Sequence, residues 1–185
     1  MDFRSDNIGK AAPEIIESIT LANTGTATPY SNDDFTERLQ KRFCELFERN
    51  VIVYTAVTGT AANAIGLSVL TPPYGVIYCH VNSHIATDEC GSPELMTGGA
   101  KLVGIEGAGA KISPDSFLDA LDKSGKGFVH CSQPSVLSIT QATEMGMVYN
   151  VDEVSALGEI VKSNNLFLHM DGARFANAVS NLGVS

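Results

Sequence analysis

The sequence predicts an α/β domain built on a mainly parallel, doubly wound sheet. Three observations carry that expectation. Short apolar, β-branched runs recur along the 185 residues, at 51–56, 76–80 and 166–170 among others. Stretches with helical three-and-four spacing separate several of them, long enough to cross back over a sheet and join parallel strands. The last run, Leu166-Phe167-Leu168-His169-Met170, stops on Asp171; Gly172 then turns the chain and Arg174 follows. A strand that ends on a carboxylate delivers that charge to the carboxyl edge of the sheet, where open α/β sheets bind ligands.

In chain order, residues 1–12 are polar and lack a period, which predicts an N-terminal arm; Arg4, Ser5, Asp6 and Asn7 crowd hydrogen-bonding groups into it. From Pro13 to about Leu21, the spacing of Ile15, Ile16 and Ile19 gives a short helix with proline in its first turn. Residues 23–33, with Gly25, Pro29, Tyr30 and several Thr and Asn, form a long loop. Asp34 is placed to cap a helix to about Phe47, with Phe35, Leu39, Phe43, Leu46 and Phe47 along one stripe.

Residues 51–56 read as the first strand. Thr58-Gly59-Thr60-Ala61-Ala62-Asn63 breaks it and opens a small-residue helix to about Leu70. Pro72-Pro73-Tyr74-Gly75 turns the chain into the strand at 76–80. A strand at 102–105, a helix at 114–121, and one or two strands over 127–130 and 136–139 come next. A helix from about 151 to 161 leads into the closing strand. The helices between these strands cover both faces of the sheet.

Composition narrows the function. Hydrophobic residues make up 44% of the chain, enough for a packed core. A net charge of -9 argues against nucleic acid, which selects basic patches, and is compatible with a small or zwitterionic ligand. The four cysteines, Cys44, Cys79, Cys90 and Cys131, contain no CxxC pair. With a polar start that lacks signal-peptide character, they predict reduced thiols in the cytoplasm. Cys79 and His80 are neighbours on a strand and point to opposite faces, so no metal is expected there. No apolar stretch approaches the roughly 18–20 residues that span a membrane.

Three places could carry chemistry. Thr58-Gly59-Thr60 lies between strand and helix, where free N–H groups and the helix dipole suit a phosphate and glycine permits close approach. A structural turn is the commoner use of such residues. His84 follows another strand, at the same edge, and could stack on a flat cofactor or move protons. Glu89, five residues on, could orient it or be a solvated side chain. Asp171 can hold a cationic partner such as a pyridinium nitrogen, and Arg174 can aim its fork at a carboxylate or phenolate in the same pocket. An internal salt bridge explains that pair equally well in isolation. Jointly, a phosphate cup, a histidine and a strand-end aspartate on one sheet edge match the grips needed by pyridoxal 5'-phosphate.

The stretches Phe3-Arg4-Ser5-Asp6-Asn7, Thr58-Gly59-Thr60-Ala61-Ala62-Asn63-Ala64, His84-Ile85 with Asp88-Glu89, residues 138–149 and His169-Met170-Asp171-Gly172-Ala173-Arg174-Phe175 together resemble the low-specificity L-threonine aldolases. These belong to the β-eliminating lyase/threonine aldolase group of fold-type I pyridoxal-phosphate enzymes, and the resemblance runs in order through essentially the whole chain. It implies a lyase that cleaves L-threonine or L-allo-threonine, β-hydroxy-α-amino acids, to glycine and acetaldehyde. Gly59 and Thr60 are then expected on the cofactor phosphate, and His84 against the ring, where it can also help to deprotonate the β-hydroxyl. Asp171 is expected on the ring nitrogen, Arg174 near the phenolate and the substrate carboxylate, and Ser5 on that carboxylate. Tyr30 resembles a position near the partner subunit's site, and a homo-oligomer, dimer or tetramer, is implied.

In that family the lysine that forms the Schiff base lies some tens of residues after the Asp-Gly-Ala-Arg block, and a small C-terminal domain carries a second arginine. The resemblance therefore implies that residues 13–185 are a partial cofactor-binding large domain, incomplete at its C-terminus and inactive alone. None of the seven lysines is placed to substitute; Lys101 and Lys162 lie away from the ligand edge. Some members have a histidine in the segment matching Gln141 to Thr143, where this chain has none, which leaves the β-hydroxyl base open. Two other readings stay open: a non-catalytic homologue that binds the cofactor weakly or pairs with a full-length subunit, and a related β-eliminating lyase.

Overall fold

The computed structural model describes residues 8–184, which group into two compact units divided between Tyr54 and Thr55. Ser5 lies outside the described residues.

In the first unit, helix α1 spans Pro13–Ala22 and helix α2 Asp34–Leu46. Pro13 occupies the first turn, where its missing N–H costs nothing. The cap of α2 is Asp33, not the expected Asp34: the Asp33 carboxylate accepts the N–H groups of Phe35 at 2.9 Å and Thr36 at 3.0 Å. Asp34 falls in the first turn instead, where a negative charge favours the helix dipole. Neither helix has a buried residue.

Residues 51–56, expected as a strand, belong to no sheet. A strand needs a neighbour for its alternate N–H and C=O groups. Here the Gln40 carboxamide takes that role, accepting from the Val53 N–H at 3.0 Å and donating to the Val51 carbonyl.

The second unit is the predicted parallel α/β structure. Strands β1 (Gly75–His80), β2 (Lys101–Ile105), β3 (Gln133–Thr140) and β4 (Phe167–Asp171) lie in the order β2-β1-β3-β4, and every neighbouring pair is parallel. Helix α3 (Gly59–Leu70) precedes β1, and the crossovers carry α4 (His84–Thr87) and α5 (Ser92–Met96), α6 (Pro114–Asp122) and α7 (Val151–Ser163); α8 (Phe175–Leu182) follows β4. The two short helices after β1 have no counterpart in the sequence expectation. Residues 127–130 form turns rather than a strand. Gly125 and Gly127 take φ of +67° and +88°, and Phe128 donates to the Gly125 carbonyl, so that region holds the single strand β3.

Strand alternation sorts the core into two faces. Val76, Tyr78, Leu137 and Ile139 point to one, where Phe117 and Leu121 of α6 and Leu157 and Val161 of α7 close over them. Ile77, Cys79 and Val136 point to the other, against Leu67 of α3 and Ile85 of α4. In β4, Leu168 and Met170 join the first face. His169 and Asp171 therefore belong to the α3 face. The register Thr140↔Asp171 ends β3 and β4 together at the carboxyl edge.

Candidate active site

The carboxyl edge on the α3 face is polar because of how its elements start and stop. Thr58 caps α3: its hydroxyl accepts the Ala61 N–H at 3.1 Å and its carbonyl accepts that of Ala62 at 3.0 Å. The N–H groups of Gly59 and Thr60 are left without a protein acceptor among the described residues. A Cβ built on Gly59 would meet nothing within 4 Å, so open space faces these donors. That combination suits an anion.

Asp171 closes β4 with both carboxylate oxygens engaged. Oδ1 accepts the Ala173 N–H at 3.0 Å, and Oδ2 accepts Asn63 Nδ2 of α3 at 3.0 Å. The Asn63 amide also donates to Glu89 Oε1 at 2.8 Å. The same oxygen lies 2.8 Å from His84 Nδ1, and Glu89 Oε2 is 3.4 Å from the Ser92 hydroxyl. His84 begins α4, and its own N–H is held by Glu144 Oε1 at 2.9 Å. A continuous chain His84–Glu89–Asn63–Asp171 thus runs across the site. The Glu89 side chain is fully buried, while that of His84 is 44% exposed and its Nε2 has no protein partner among the described residues.

Arg174 is anchored by Nε to the Ala142 carbonyl, 3.1 Å away in the loop after β3. The same loop is tied to β4 by the Gln141 N–H, which donates to the Asp171 carbonyl at 2.9 Å. The terminal guanidinium nitrogens have no carboxylate partner among the described residues, so the internal Asp171–Arg174 salt bridge is not formed. Below Asp171 on the same face, His169 Nδ1 lies 2.8 Å from the Ser138 hydroxyl, and its ring meets Gly66 of α3.

The two histidines have opposite electrostatics. The hydrogen bond to Glu89 raises the His84 pKa above its ordinary value; partial burial opposes this, and the charges of Glu89, Asp171 and Asp88 add to it. Burial pushes His169 down, against the charges of Asp171 and Glu89. One donor atom each from His84, Glu89 and Asp171 lie within 4.8 Å of one another. The 2.8 Å between His84 Nδ1 and Glu89 Oε1 is a shared-proton distance, however. Two ligands on a tetrahedral zinc ion would stand about 3.3 Å apart.

The structure thus gathers His84, Asp171 and the start of α3 at Gly59 and Thr60, with Arg174 on the adjoining loop. Tyr30 belongs to the first unit, where it is 92% exposed with a left-handed backbone. Asn63 and His169 were given no role by the sequence reading. His169 was within reach, since it stands two residues before Asp171 and so shares its face. Asn63 has no such signal; an asparagine in a small-residue helix shows its partners only in three dimensions. A groove of about 670 Å³ opens on the opposite face, along β2 and α6, away from His84 and Asp171.

The sequence profile of a family described as beta-eliminating lyase matches residues 2–185. Among curated proteins, the chain is 41% identical over 181 residues to a low specificity L-threonine aldolase of a Pseudomonas species, covering 98% of this chain and 52% of that protein. It is 40% identical over 183 residues to the Pseudomonas aeruginosa protein of the same name, covering 99% and 52%. Among solved structures, Leishmania major threonine aldolase superposes with a TM-score of 0.85 at 27% identity, covering 91% of this chain and 48% of that one. The chain spans about half the length of the curated relatives it matches.

Proposed function

The chain belongs to the beta-eliminating lyase family, and from that premise we propose that its carboxyl-edge site serves a pyridoxal-5'-phosphate-dependent aldolase that cleaves L-threonine or L-allo-threonine to glycine and acetaldehyde. The observation that carries the reading is the Asp171 carboxylate, held at the end of β4 by Ala173 and by Asn63 of the helix whose first N–H groups are free.

The site fits the cofactor's chemistry. The donors of Gly59 and Thr60 face open space and suit a phosphate. Each Asp171 oxygen has one donor in place and retains acceptor capacity for a ring N–H. When bound, pyridoxal 5'-phosphate supplies an electron-poor ring that takes up the charge left at Cα as the Cα–Cβ bond breaks. Asp171 keeps the proton on the ring nitrogen and so sustains that electron demand. His84 would offer its half-exposed ring for stacking on the cofactor, and its Nε2 would take the β-hydroxyl proton. Arg174, fixed through Nε, offers its remaining donors to the substrate carboxylate or the cofactor phenolate. Ser5 is assigned to the same carboxylate.

Tyr30 is assigned to a partner subunit's site in a homo-oligomer. All four cysteines are free, in keeping with a reducing, cytoplasmic setting. Among the described residues no helix is long and apolar enough to cross a membrane.

Two measurements test the proposal. Pyridoxal 5'-phosphate should bind the chain saturably by absorbance, and Asp171→Ala and Gly59→Val should weaken that binding. The gene product containing the chain should release acetaldehyde from L-threonine or L-allo-threonine in a coupled alcohol dehydrogenase assay. No acetaldehyde from either isomer overturns the reading.

A further inference from the structure

We propose that Glu89 and Asn63 are positioning residues for this site: Glu89 keeps the His84 proton on Nδ1, so that Nε2 is the nitrogen that works on the substrate hydroxyl, and Asn63 sets the spacing of the Glu89 and Asp171 carboxylates. The assignment rests on the aldolase reading for the identity of the hydroxyl, but the tautomer and the spacing are properties of the chain alone.

The geometry leaves little choice. Glu89 Oε1 can only accept when ionised, so the 2.8 Å contact to His84 Nδ1 requires the proton on that nitrogen. The Glu89 side chain has no exposure, so water cannot stand in for any of its donors. His84 is also fixed from behind, since Glu144 holds its backbone N–H at the start of α4. The tautomer of the imidazole is therefore set by one buried carboxylate, which also makes the largest contribution to its basicity, the arrangement by which a carboxylate steers a catalytic histidine elsewhere.

Asn63 has an equally constrained role. Its amide faces two carboxylate oxygens, Glu89 Oε1 at 2.8 Å and Asp171 Oδ2 at 3.0 Å. With both carboxylates ionised neither can donate, so the nitrogen faces them and both N–H groups are committed. Without that amide, two carboxylate oxygens within 4.8 Å would face each other with no donor between them. Asn63 is also part of α3, so the same contact ties the start of that helix to the end of β4. The donors offered at Gly59 and Thr60 and the acceptor offered at Asp171 are thus held in one frame.

Histidine NMR on the cofactor-free chain reads the first half directly. The ¹⁵N shifts should show wild-type His84 protonated on Nδ1, with a titration midpoint above that of a free histidine. The groups facing it are Glu89, Asp171 and Asp88, with Glu144 at its backbone. Glu89→Gln should lower the midpoint, and Asn63→Ala should shift it by less, while the far-UV circular dichroism of both variants stays that of the wild type as the check on fold.

In the full gene product, Glu89→Gln should lower kcat/KM by roughly 10–100-fold and move the acidic arm of its pH profile down with the His84 midpoint. Asn63→Ala should weaken cofactor binding. An Nε2-protonated His84 in the wild type overturns the proposal even if neither variant folds, and so does an unmoved midpoint in a folded Glu89→Gln. Failure of the wild type to bind pyridoxal 5'-phosphate would instead sink the aldolase reading and leave the His84 result standing.

Discussion

Single residues decide how this site responds to charge. The His84 pKa is raised and that of His169 lowered, relative to about 6.5 in an unfolded chain. By linkage, His84 contributes stability that is fully present below the unfolded value and lost as pH rises through the raised folded value. His169 does the reverse: folding weakens as pH falls below about 6.5, because the unfolded chain takes up a proton that the buried ring resists. Chemical denaturation between about pH 5 and pH 8 should therefore find His84→Asn most destabilised relative to wild type at the acid end. His169→Asn should gain on wild type as pH drops. Parallel slopes for the two variants would contradict the opposite environments. For catalysis, Asp171→Asn preserves shape and removes charge, and should lower kcat of the full gene product by about 10²–10³-fold. Steady-state kinetics with saturating cofactor measure it.

At the scale of elements, caps and helix interiors set local stability. Helix α7 opens with a reciprocal capping box: Asn150 Oδ1 accepts the Glu153 N–H at 2.8 Å, and Glu153 Oε2 accepts the Asn150 N–H at 2.8 Å. Asn150→Ala should cost about 1 kcal/mol in urea denaturation. Gly158, mid-helix in α7, has nothing within 4 Å of an added Cβ. Gly158→Ala should stabilise by about 0.5–1 kcal/mol, since alanine is the better helix former and no neighbour resists it. Gly107→Ala goes the other way, because its Cβ would sit 1.7 Å from the Lys111 carbonyl oxygen. The same scale explains where sequence reading slipped. Asp33 and Asp34 are both competent caps, and only the turn of the backbone selects Asp33. The apolar run at 51–56 has strand composition, but composition supplies no neighbouring strand, and Gln40 takes the contacts instead.

Across the molecule, burial is uneven. The central strands β1 and β3 hold Ile77, Cys79, Val136 and Leu137 at zero exposure, whereas α1 and α2 bury nothing. Amide hydrogen exchange should rank accordingly, slowest in β1 and β3 and fastest in α1 and α2, because local opening is cheapest where least apolar surface is exposed by it. Equal protection in both units would contradict that ordering. The site draws on this gradient: Asp171 and Asn63 stand on elements packed against the rigid sheet, while His84 keeps an open side toward solvent.

The parallel α/β architecture of the second unit and the layout of its candidate site were largely legible in the chain. Alternating strand and helix periods demand parallel crossovers, and parallel crossovers bring every strand end to one edge. The order of His84 and Asp171 along the chain was therefore already an arrangement in space, whereas Thr58-Gly59-Thr60, which follows no strand of the sheet, joins that edge through the packing of α3 and the contact of Asn63 with Asp171. The sequence left two ambiguities that pattern cannot resolve, whether Glu89 is solvated and whether Asp171 pairs with Arg174. Tertiary structure decided both. Glu89 is buried against His84, and Arg174 turns to the Ala142 carbonyl while Asn63 takes the carboxylate. Asn63 and Asp171 are 108 residues apart. Hydrogen bonds over such distances depend on which helix face meets which strand end. Periodicity along a chain records the face, but not the partner waiting there.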